Sequence, residues 1–237
     1  MEGYLLVDKP KDWTSFDVVG FVRRKVANVS GIAPKKIKVG HSGTLDPFAT
    51  GLLVILVGKA YTKQAVTLLK NDKKYRVNMQ LDAVSTTGDP EGIITRNNKP
   101  TAAPNIITIK EAMDKMIGEI DQVPPVYSAI KVNGVRAYQL ARNNQPVVIE
   151  ARKVKIHSLN LIAYNYPEVI FETEVSSGTY IRTLVEDLAK TFERTAYTME
   201  LRRTSIGKYS ISDAVKAEAI NEYNIASLLK KDLALTS

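Results

Sequence analysis

The chain has 237 residues, 44% of them hydrophobic, which is enough for a sizeable core in one large domain or two small ones. It has no cysteine, which excludes disulfides and cysteine metal sites, and with only two histidines a zinc site would need carboxylates for most of its ligands. No apolar run approaches the roughly eighteen residues that span a bilayer, and the first, residues 4–7, is too short for a signal peptide, so we expect a cytoplasmic protein.

The charge balance favours a polyanionic partner. There are 33 basic and 25 acidic residues, a net charge of +8, although soluble proteins without such a partner have similar values. The lysines and arginines cluster in four segments, residues 23–25, 35–38, 70–76 and 202–203. One such cluster is more simply explained as a solvated face. Four of them beside glycine-rich or aromatic segments favour nucleic acid.

The first elements read as a strand, a helix and a loop. Residues 3–8 predict a short strand. The next apolar stripe is Val18, Val22 and Val26, whose four-residue spacing predicts a helix capped by Thr14 or Ser15. A basic loop over residues 33–38 follows.

The segment GHSGTLDPFATGLLVILVG, residues 40–58, combines a glycine-rich loop with a buried strand. Glycines permit unusual backbone angles, and the residue before a proline is restricted, so Asp46 is held stiffly by Pro47. The apolar run 52–57 predicts a buried strand. The pattern indicates a reactive group mounted on a rigid element.

The middle of the chain predicts one helix, one strand, an exposed loop and another helix. Residues 60–70 are expected to be helical, and the alternation of KYRVNMQL over residues 74–81 predicts a strand. Residues 85–105 are rich in turn formers and read as an exposed loop. Thr108 and Glu111 predict a capping box for a helix with an apolar stripe from Ile109 to Ile120.

The second half adds further strands and helices. Asn133-Gly134 indicates either a hairpin or a link between a strand over 127–132 and a helix over 136–142. The remaining predicted elements are strands over 147–164, 168–175 and 201–210, a helix starting at Gly178-Thr179, and short helices from about Asp213 and Ile225. Without strict alternation of strand and helix, the class predicted is α+β, with a mixed, mainly antiparallel sheet flanked by helices and loops.

Asp46 and Arg182 are the first candidates for chemistry. An aspartate before a proline is usually a turn former, but its anchoring by a buried strand also suits a nucleophile or base. Arg182 lies in the first turn of its predicted helix, where the dipole disfavours a cation, and on an otherwise apolar face. It therefore needs a partner elsewhere, plausibly a carboxylate, and it is either a structural ion pair, a phosphate contact or a partner of Asp46.

The aromatic candidates remain ambiguous from the residues alone. Tyr75 sits on the apolar face of its strand, where core packing is the simpler explanation, and Tyr138 and Tyr180 have the same ambiguity. Each of them could also stack on a base. His41 is either a loop residue bonded to backbone or part of a site. No phosphate-binding loop motif or hydrolytic triad spacing is present in the sequence.

Together the motifs are more specific than any one of them. The order GHSGTLDPFATGLL, KKYRVNMQL, QVPPVYSAIKVNGVRAYQLAR, SSGTYIRTLVEDL and LRRTSIG resembles the TruB family of tRNA pseudouridine-55 synthases over nearly the whole chain. The resemblance implies that the chain is an RNA-modifying isomerase with a pseudouridine synthase fold. It also implies a tRNA T-arm as partner, base flipping, and no cofactor or metal.

The resemblance implies a role for eight residues. Asp46 matches the catalytic aspartate, Tyr75 the tyrosine against the target base, and Arg182 the arginine that pairs with the aspartate. The positions matching substrate contacts are Tyr180 and Leu201 in the uridine pocket, His41 under the RNA stack, and Gly43 and Thr44 in the GTLDP element. Whether the aspartate attacks the anomeric carbon or takes a proton from its neighbour stays open.

Two departures from the family accompany these matches. Family members often read T-D-T-x-D where residues 85–89 read S-T-T-G-D, so that Thr86 replaces an acidic residue in a predicted surface loop. Bacterial relatives usually continue into a small C-terminal RNA-binding domain, whereas here we expect one catalytic domain over residues 1–237. We expect it to act as a monomer and to contact RNA through an insert around residues 121–150.

Two other classes compete with the enzyme. An RNA-binding chaperone that refolds tRNA without chemistry would account for the charge of +8 and the basic clusters. A glycoside hydrolase would need two cooperating carboxylates, and the sequence offers no second acidic residue in a setting like that of Asp46.

Overall fold

A computed structural model describes residues 1–97, 102–128, 130–132, 134–143 and 145–233. Its strands are β1 (Gly3–Lys9), β2 (Val39–His41), β3 (Thr50–Val57), β4 (Lys73–Leu81), β5 (Ala83–Ser85), β6 (Ile94–Arg96), β7 (Gly118–Gln122), β8 (Lys131–Val132), β9 (Val135–Arg136), β10 (Arg152–Asn165), β11 (Glu168–Val175), β12 (Ala196–Ile206), β13 (Tyr209–Ser210) and β14 (Val215–Lys216). Its helices are α1 (Ser15–Ser30), α2 (Lys59–Thr62), α3 (Ala65–Leu69), α4 (Ile106–Lys115), α5 (Ala137–Arg142), α6 (Ile181–Lys190) and α7 (Ile225–Leu228). Within those ranges, no helix has the length and apolar character needed to cross a membrane.

The chain divides into two compact units. The first comprises Met1–Arg76 and Leu201–Ser237, and the second comprises Val77–Glu200. Strands β4 and β12 each pass from one unit into the other. Because the boundaries fall inside strands, no linker or change in composition marks them in the sequence.

The first unit is organised on β3. Its strand order is β14-β1-β3-β12, with β2 also paired to β3 and β13 to β12. β1 and β2 are antiparallel to β3, whereas β12 is parallel to β3 and β14 is parallel to β1. Leu53, Ile55 and Val57 pack on the α1 side, and Leu52, Val54 and Leu56 pack on the α3 side. Burial of both faces explains the uninterrupted apolar run and confirms the predicted buried strand.

Helix α1 begins as its sequence predicts. The hydroxyl of Thr14 accepts a hydrogen bond from the Asp17 amide at 3.0 Å, and the Asp17 carboxylate accepts one from the Thr14 amide at 2.8 Å. This capping box satisfies backbone donors that a helix start would otherwise leave free. The predicted stripe is buried, with Val18, Val22 and Val26 at 1% exposure or less.

The second unit contains the longest antiparallel pair. β10 pairs with β11, and β7 lies on the other edge of β10. The apolar face of α6 is buried through Ile181, Leu184, Val185 and Leu188, as its periodicity predicts. Helices therefore pack with sheets that contain both parallel and antiparallel pairs, which confirms the predicted α+β class.

Helix α4 differs from its prediction at both ends. The cap is Asn105, whose side chain accepts a hydrogen bond from the Ile107 amide at 2.9 Å, so the prediction of a capping box at Thr108 is wrong. The helix ends at Lys115, and Ile120 belongs to strand β7. Gly118, with φ of +119°, separates the two elements.

Four other predicted bounds are corrected. The helix predicted over 60–70 is two short helices, because the Gln64 amide bonds the Tyr61 carbonyl in a tighter turn between them. The strand predicted over 201–210 begins at Ala196 and is broken by Gly207, with φ of +50°. The helix predicted from Gly178-Thr179 begins at Ile181, and residues 211–213 form a single 3-10 turn.

The segment around Gly134 combines the two alternatives. β8 and β9 form a hairpin, and α5 follows directly. Gly134 has φ of +83°, as such a turn requires, while Asn133 lies outside the described residues. The preceding strand is shorter than the one predicted, because only Lys131–Val132 pairs.

Candidate active site

Asp46 lies on the loop that joins β2 to β3 in the first unit. Its backbone carbonyl accepts a hydrogen bond from the Ala49 amide at 3.1 Å, so residues 46–49 form a turn with Pro47 in its second position. Phe48 and Ala49 are buried, whereas Asp46 itself is half-buried. The turn-forming reading is therefore correct, and the turn also fixes the place of the carboxylate.

The buried side chain of Arg203 is hydrogen-bonded to this loop. Its side chain is 1% exposed, and its guanidinium donates to the carbonyls of Leu52 at 2.8 Å, Gly43 at 3.2 Å and Thr44 at 3.3 Å. On the edge of β3 away from β1, residues 50–51 pair with β12 and residues 55–57 pair with β2. The guanidinium therefore bonds a β3 carbonyl that lies between these two paired segments, and it connects the loop to this edge of β3.

Two further buried side chains hold the loop from the N-terminal segment. The Ser15 hydroxyl accepts from the Leu45 amide at 2.8 Å and donates to the Leu45 carbonyl at 3.0 Å. The ammonium of Lys9, which is fully buried, donates to the carbonyls of Pro47 at 3.1 Å and Trp13 at 2.6 Å. Together with Arg203, these contacts fix both residues that flank Asp46, an arrangement that preorganises a reactive group.

The glycines of this segment have different functions. Gly43 has φ of +105°, which an L side chain rarely adopts. Gly51 has φ of +108°, and a Cβ there would lie 2.3 Å from the carbonyl oxygen of Arg203. Gly51 is therefore required for the close approach of β12 to β3.

Two titratable groups of this unit have lowered pKa values. Burial lowers the pKa of His41, and the charge of Arg203 lowers it further, with a backbone hydrogen bond at Gly43 acting in the opposite sense. Burial, followed by the charge of Arg203, also lowers the pKa of Lys73 to about 8, against a smaller opposite effect of Asp72. The His41 imidazole is therefore mainly neutral at pH 7.

The structure places the other candidates of this unit on separate elements. Tyr75 is 8% exposed on β4, Leu201 is 6% exposed on β12, and Thr44 is exposed on the loop. His41 closes β2, opposite Ile55. The loop thus brings together His41, Gly43, Thr44 and Asp46, while the strands supply Tyr75 and Leu201.

Arg182 has a carboxylate partner in the second unit, as its position predicts. It is 5% exposed, and its guanidinium lies 3.1 Å from Asp89, which is 2% exposed. It also donates to the carbonyls of Thr87 at 2.7 Å and Tyr127 at 3.0 Å. The buried ion pair fixes the arginine at the start of α6, and its pairing with Asp46 stays a prediction.

Asp89 is a site residue that the sequence pattern did not reveal. Besides Arg182, its carboxylate accepts from the Thr87 hydroxyl at 2.6 Å and the Glu91 amide at 3.0 Å. Thr86, the departure from the family pattern, is exposed, but Gly88 and Asp89 are buried. The loop is thus only partly the exposed loop predicted, because its buried end anchors the arginine.

Tyr180 is held by its backbone as the cap residue of α6. Its amide donates to the side-chain oxygen of Gln122 at 2.8 Å, and its carbonyl accepts from the Gln122 amide group at 3.1 Å. Gln122 is fully buried at the end of β7. This reciprocal pair fixes the tyrosine backbone at the start of α6, and the residue is half-buried.

The basic clusters divide into exposed and internal cations. Lys35, Lys36 and Lys38 are exposed, as a nucleic-acid surface would require. Lys73 is buried, with its ammonium bonded to the Leu69 and Asn71 carbonyls. Arg203 is buried as well, so its interpretation as part of a nucleic-acid contact is wrong. Adjacent cations in a strand point to opposite faces, and the sequence does not indicate which face is inside.

Comparison with known proteins identifies relatives of this chain. A family model described as TruB family pseudouridylate synthase, N-terminal domain, matches residues 28–181. A protein of Flavobacterium johnsoniae named tRNA pseudouridine synthase B is 40% identical over 218 residues, covering 92% of this chain and 94% of that relative. One of the same name from Clostridium acetobutylicum is 41% identical over 225 residues, covering 95% and 74%.

Solved structures share the fold. A chain of a Cbf5-Nop10-Gar1 complex matches with a TM-score of 0.67 at 24% identity, covering 97% of this chain and 60% of that one. A chain of an H/ACA RNP bound to a substrate RNA containing 2'-deoxyuridine matches with a TM-score of 0.63 at 23% identity, covering 91% and 51%. The fold is the α+β pseudouridine synthase fold. Within that class, the chain belongs to the TruB family of pseudouridylate synthases.

Proposed function

We propose that this protein is a tRNA pseudouridine synthase that converts uridine-55 in the T-loop of tRNA into pseudouridine. The observation that carries the proposal is the Asp46 loop, in which a half-buried carboxylate sits on a turn held by Lys9, Ser15 and Arg203. The 40% identical relative named tRNA pseudouridine synthase B supports the substrate class.

The reaction is an isomerisation in which the base changes its point of attachment. The bond between N1 of uracil and C1' of ribose breaks, the base rotates, and a bond between C5 and C1' forms. C5 then loses its proton and N1 gains one, so no atom is lost or added. The step needs a carboxylate beside the ribose, either to attack C1' or to take the proton from C2'.

The family resemblance implies the role of each residue. Asp46 acts on the ribose, and Arg182 pairs with that carboxylate and orients it. Because the target base must leave the RNA stack to reach Asp46, Tyr75 stacks on it, while Tyr180 and Leu201 line its pocket. His41 supports the RNA stack after the base leaves, and Gly43 and Thr44 contact the extruded nucleotide. We further propose that the protein needs no cofactor or metal and acts as a cytoplasmic monomer.

Replacing Asp46 with asparagine tests the assignment. Asn keeps the size of the side chain but cannot act as nucleophile or base, so we expect Asp46→Asn to abolish pseudouridine formation and to leave tRNA affinity within about threefold. The measurement is single-turnover pseudouridine formation in a tRNA transcript, together with the Kd for that transcript. Full turnover in the variant would refute the role of Asp46. Unimpaired function of the variant in cells would instead support the RNA chaperone.

A further inference from the structure

Phe16 is an exposed aromatic side chain beside the Asp46 loop. It is the second residue of α1 and is 69% exposed, although its neighbour Ser15 is buried. Ser15 is bonded at both its donor and its acceptor to Leu45, the residue before Asp46. Because Ser15 precedes Phe16 and Leu45 precedes Asp46, these bonds place the start of α1 next to the loop that carries the carboxylate.

The ring also contacts His41. The two ring centroids are 5.3 Å apart with an interplanar angle of 82°, an edge-to-face pair. In such a pair one ring presents its edge to the face of the other, so the exposed phenyl ring keeps surface open for a further planar group. The lowered pKa of His41 keeps its imidazole uncharged, so the pair is an apolar step at neutral pH.

The helix face beyond Phe16 carries a glycine and an exposed arginine. Gly20 follows one turn later, and a Cβ there would meet only the Arg24 guanidinium, at an ordinary 3.6 Å. A glycine inside a helix costs about 1 kcal/mol relative to alanine, and the packing here does not require one. It does leave the helix backbone open to a close approach. Arg24 is exposed one turn further on, and the carboxylate of Asp17, which accepts the hydrogen bonds of the capping box, keeps its negative charge near it.

An exposed aromatic ring, an open stretch of helix backbone and a nearby cation together form a surface that suits a nucleic-acid strand. Bases stack on exposed aromatic rings, and phosphates pair with nearby cations. Lys38, also exposed, precedes β2 and lies three residues before His41. We propose that Phe16, whose ring packs against His41, stacks on an unpaired base of the substrate RNA next to the extruded uridine, with Arg24 on a phosphate. This inference rests on the proposed function.

The test compares two substitutions of Phe16 with one of another exposed aromatic. Because a base stack is typically worth about tenfold in affinity, we expect Phe16→Ala to raise the Kd for a tRNA transcript about tenfold, and Phe16→Trp to keep it within about twofold. Tyr223, which is 98% exposed in the same unit, supplies the control, and Tyr223→Ala should leave the Kd unchanged.

Fluorescence gives a second readout. The native chain has one tryptophan, Trp13, so Phe16→Trp adds a reporter at the proposed stacking site. We expect tRNA to quench the emission of Phe16→Trp clearly more than that of the wild type. This readout does not depend on the folding of the alanine variant.

Three results would overturn the inference. They are an unchanged Kd for Phe16→Ala, equal losses for Phe16→Ala and Tyr223→Ala, and no extra quenching of Phe16→Trp. An unchanged Kd for Phe16→Ala is also the result expected if the phenyl ring instead bound a protein partner. If the wild type forms pseudouridine and Phe16→Ala binds tRNA with normal affinity, only this inference is refuted. A wild-type protein that binds tRNA without forming pseudouridine would refute the proposed function instead.

Discussion

Arg203 illustrates what a single residue contributes to the site. Its guanidinium bonds three carbonyls, two of them in the loop that carries Asp46. Its neighbour Arg202 faces the other way and forms an ion pair with Asp8 at 2.7 Å, with 40% of its side chain exposed. The two arginines are equivalent as letters in a sequence, and only the fold shows which of them supports the loop.

The Arg203→Lys substitution should therefore damage both stability and catalysis. An ammonium cannot reproduce the three directed hydrogen bonds, and each buried carbonyl left unsatisfied costs about 1–3 kcal/mol. We expect the free energy of unfolding to fall by about 3 kcal/mol. The single-turnover rate should fall at least about tenfold at saturating tRNA, because a shifted carboxylate loses its alignment with the ribose.

Arg202→Lys is the matched control on the same strand. A partly exposed ion pair contributes up to about 1 kcal/mol, so urea unfolding of this variant should change by no more than that. Its rate should stay within about twofold. Equal effects of the two substitutions on rate would contradict the positioning role of Arg203.

Residue identity predicted some of the site and not the rest. Arg182 stands out by its unfavourable place at a helix start, whereas the pattern around Asp46 favours a turn former and its catalytic role comes from the family resemblance. Asp89, which pairs with Arg182, lies 93 residues before it in the chain, and no local pattern marks a partner at such a distance. Arg203 was grouped with the basic clusters, because burial of a cation depends on carbonyls brought together by the fold.

At the scale of elements, apolar periodicity was a better guide than capping chemistry. The predicted stripe of α6 and the predicted cap of α1 are confirmed. The cap of α4 was misplaced by three residues, because Thr108 and Glu111 match the capping-box spacing by chance while Asn105 forms the hydrogen bond. Periodicity reflects many residues at once, whereas a cap depends on one.

Substitutions at Asn105 and Thr108 distinguish the observed cap from the predicted one. Loss of a cap typically costs about 1 kcal/mol, so we expect Asn105→Ala to lower the free energy of unfolding by about that amount. Thr108→Ala should be neutral or slightly stabilising, because position 108 lies inside the helix and alanine is the better helix former. Chemical denaturation of the two variants is the measurement, and a larger loss for Thr108→Ala would contradict the observed cap.

At the scale of the whole molecule, the candidate residues are distributed over both units. The Asp46 loop, Tyr75 and Leu201 belong to the first, and Tyr180 and Arg182 belong to the second. Their assembly into one site is the prediction that the family resemblance makes. No signal in the sequence marks the division, because both units draw on β4 and β12.

Mapping pseudouridine in an unmodified tRNA transcript incubated with the purified protein tests the central claim most directly. We expect a single new pseudouridine, at position 55 in the T-loop, without any added cofactor, and none when Asp46→Asn replaces the wild type. A transcript that is bound but unmodified, or one modified only at other positions, would contradict the account.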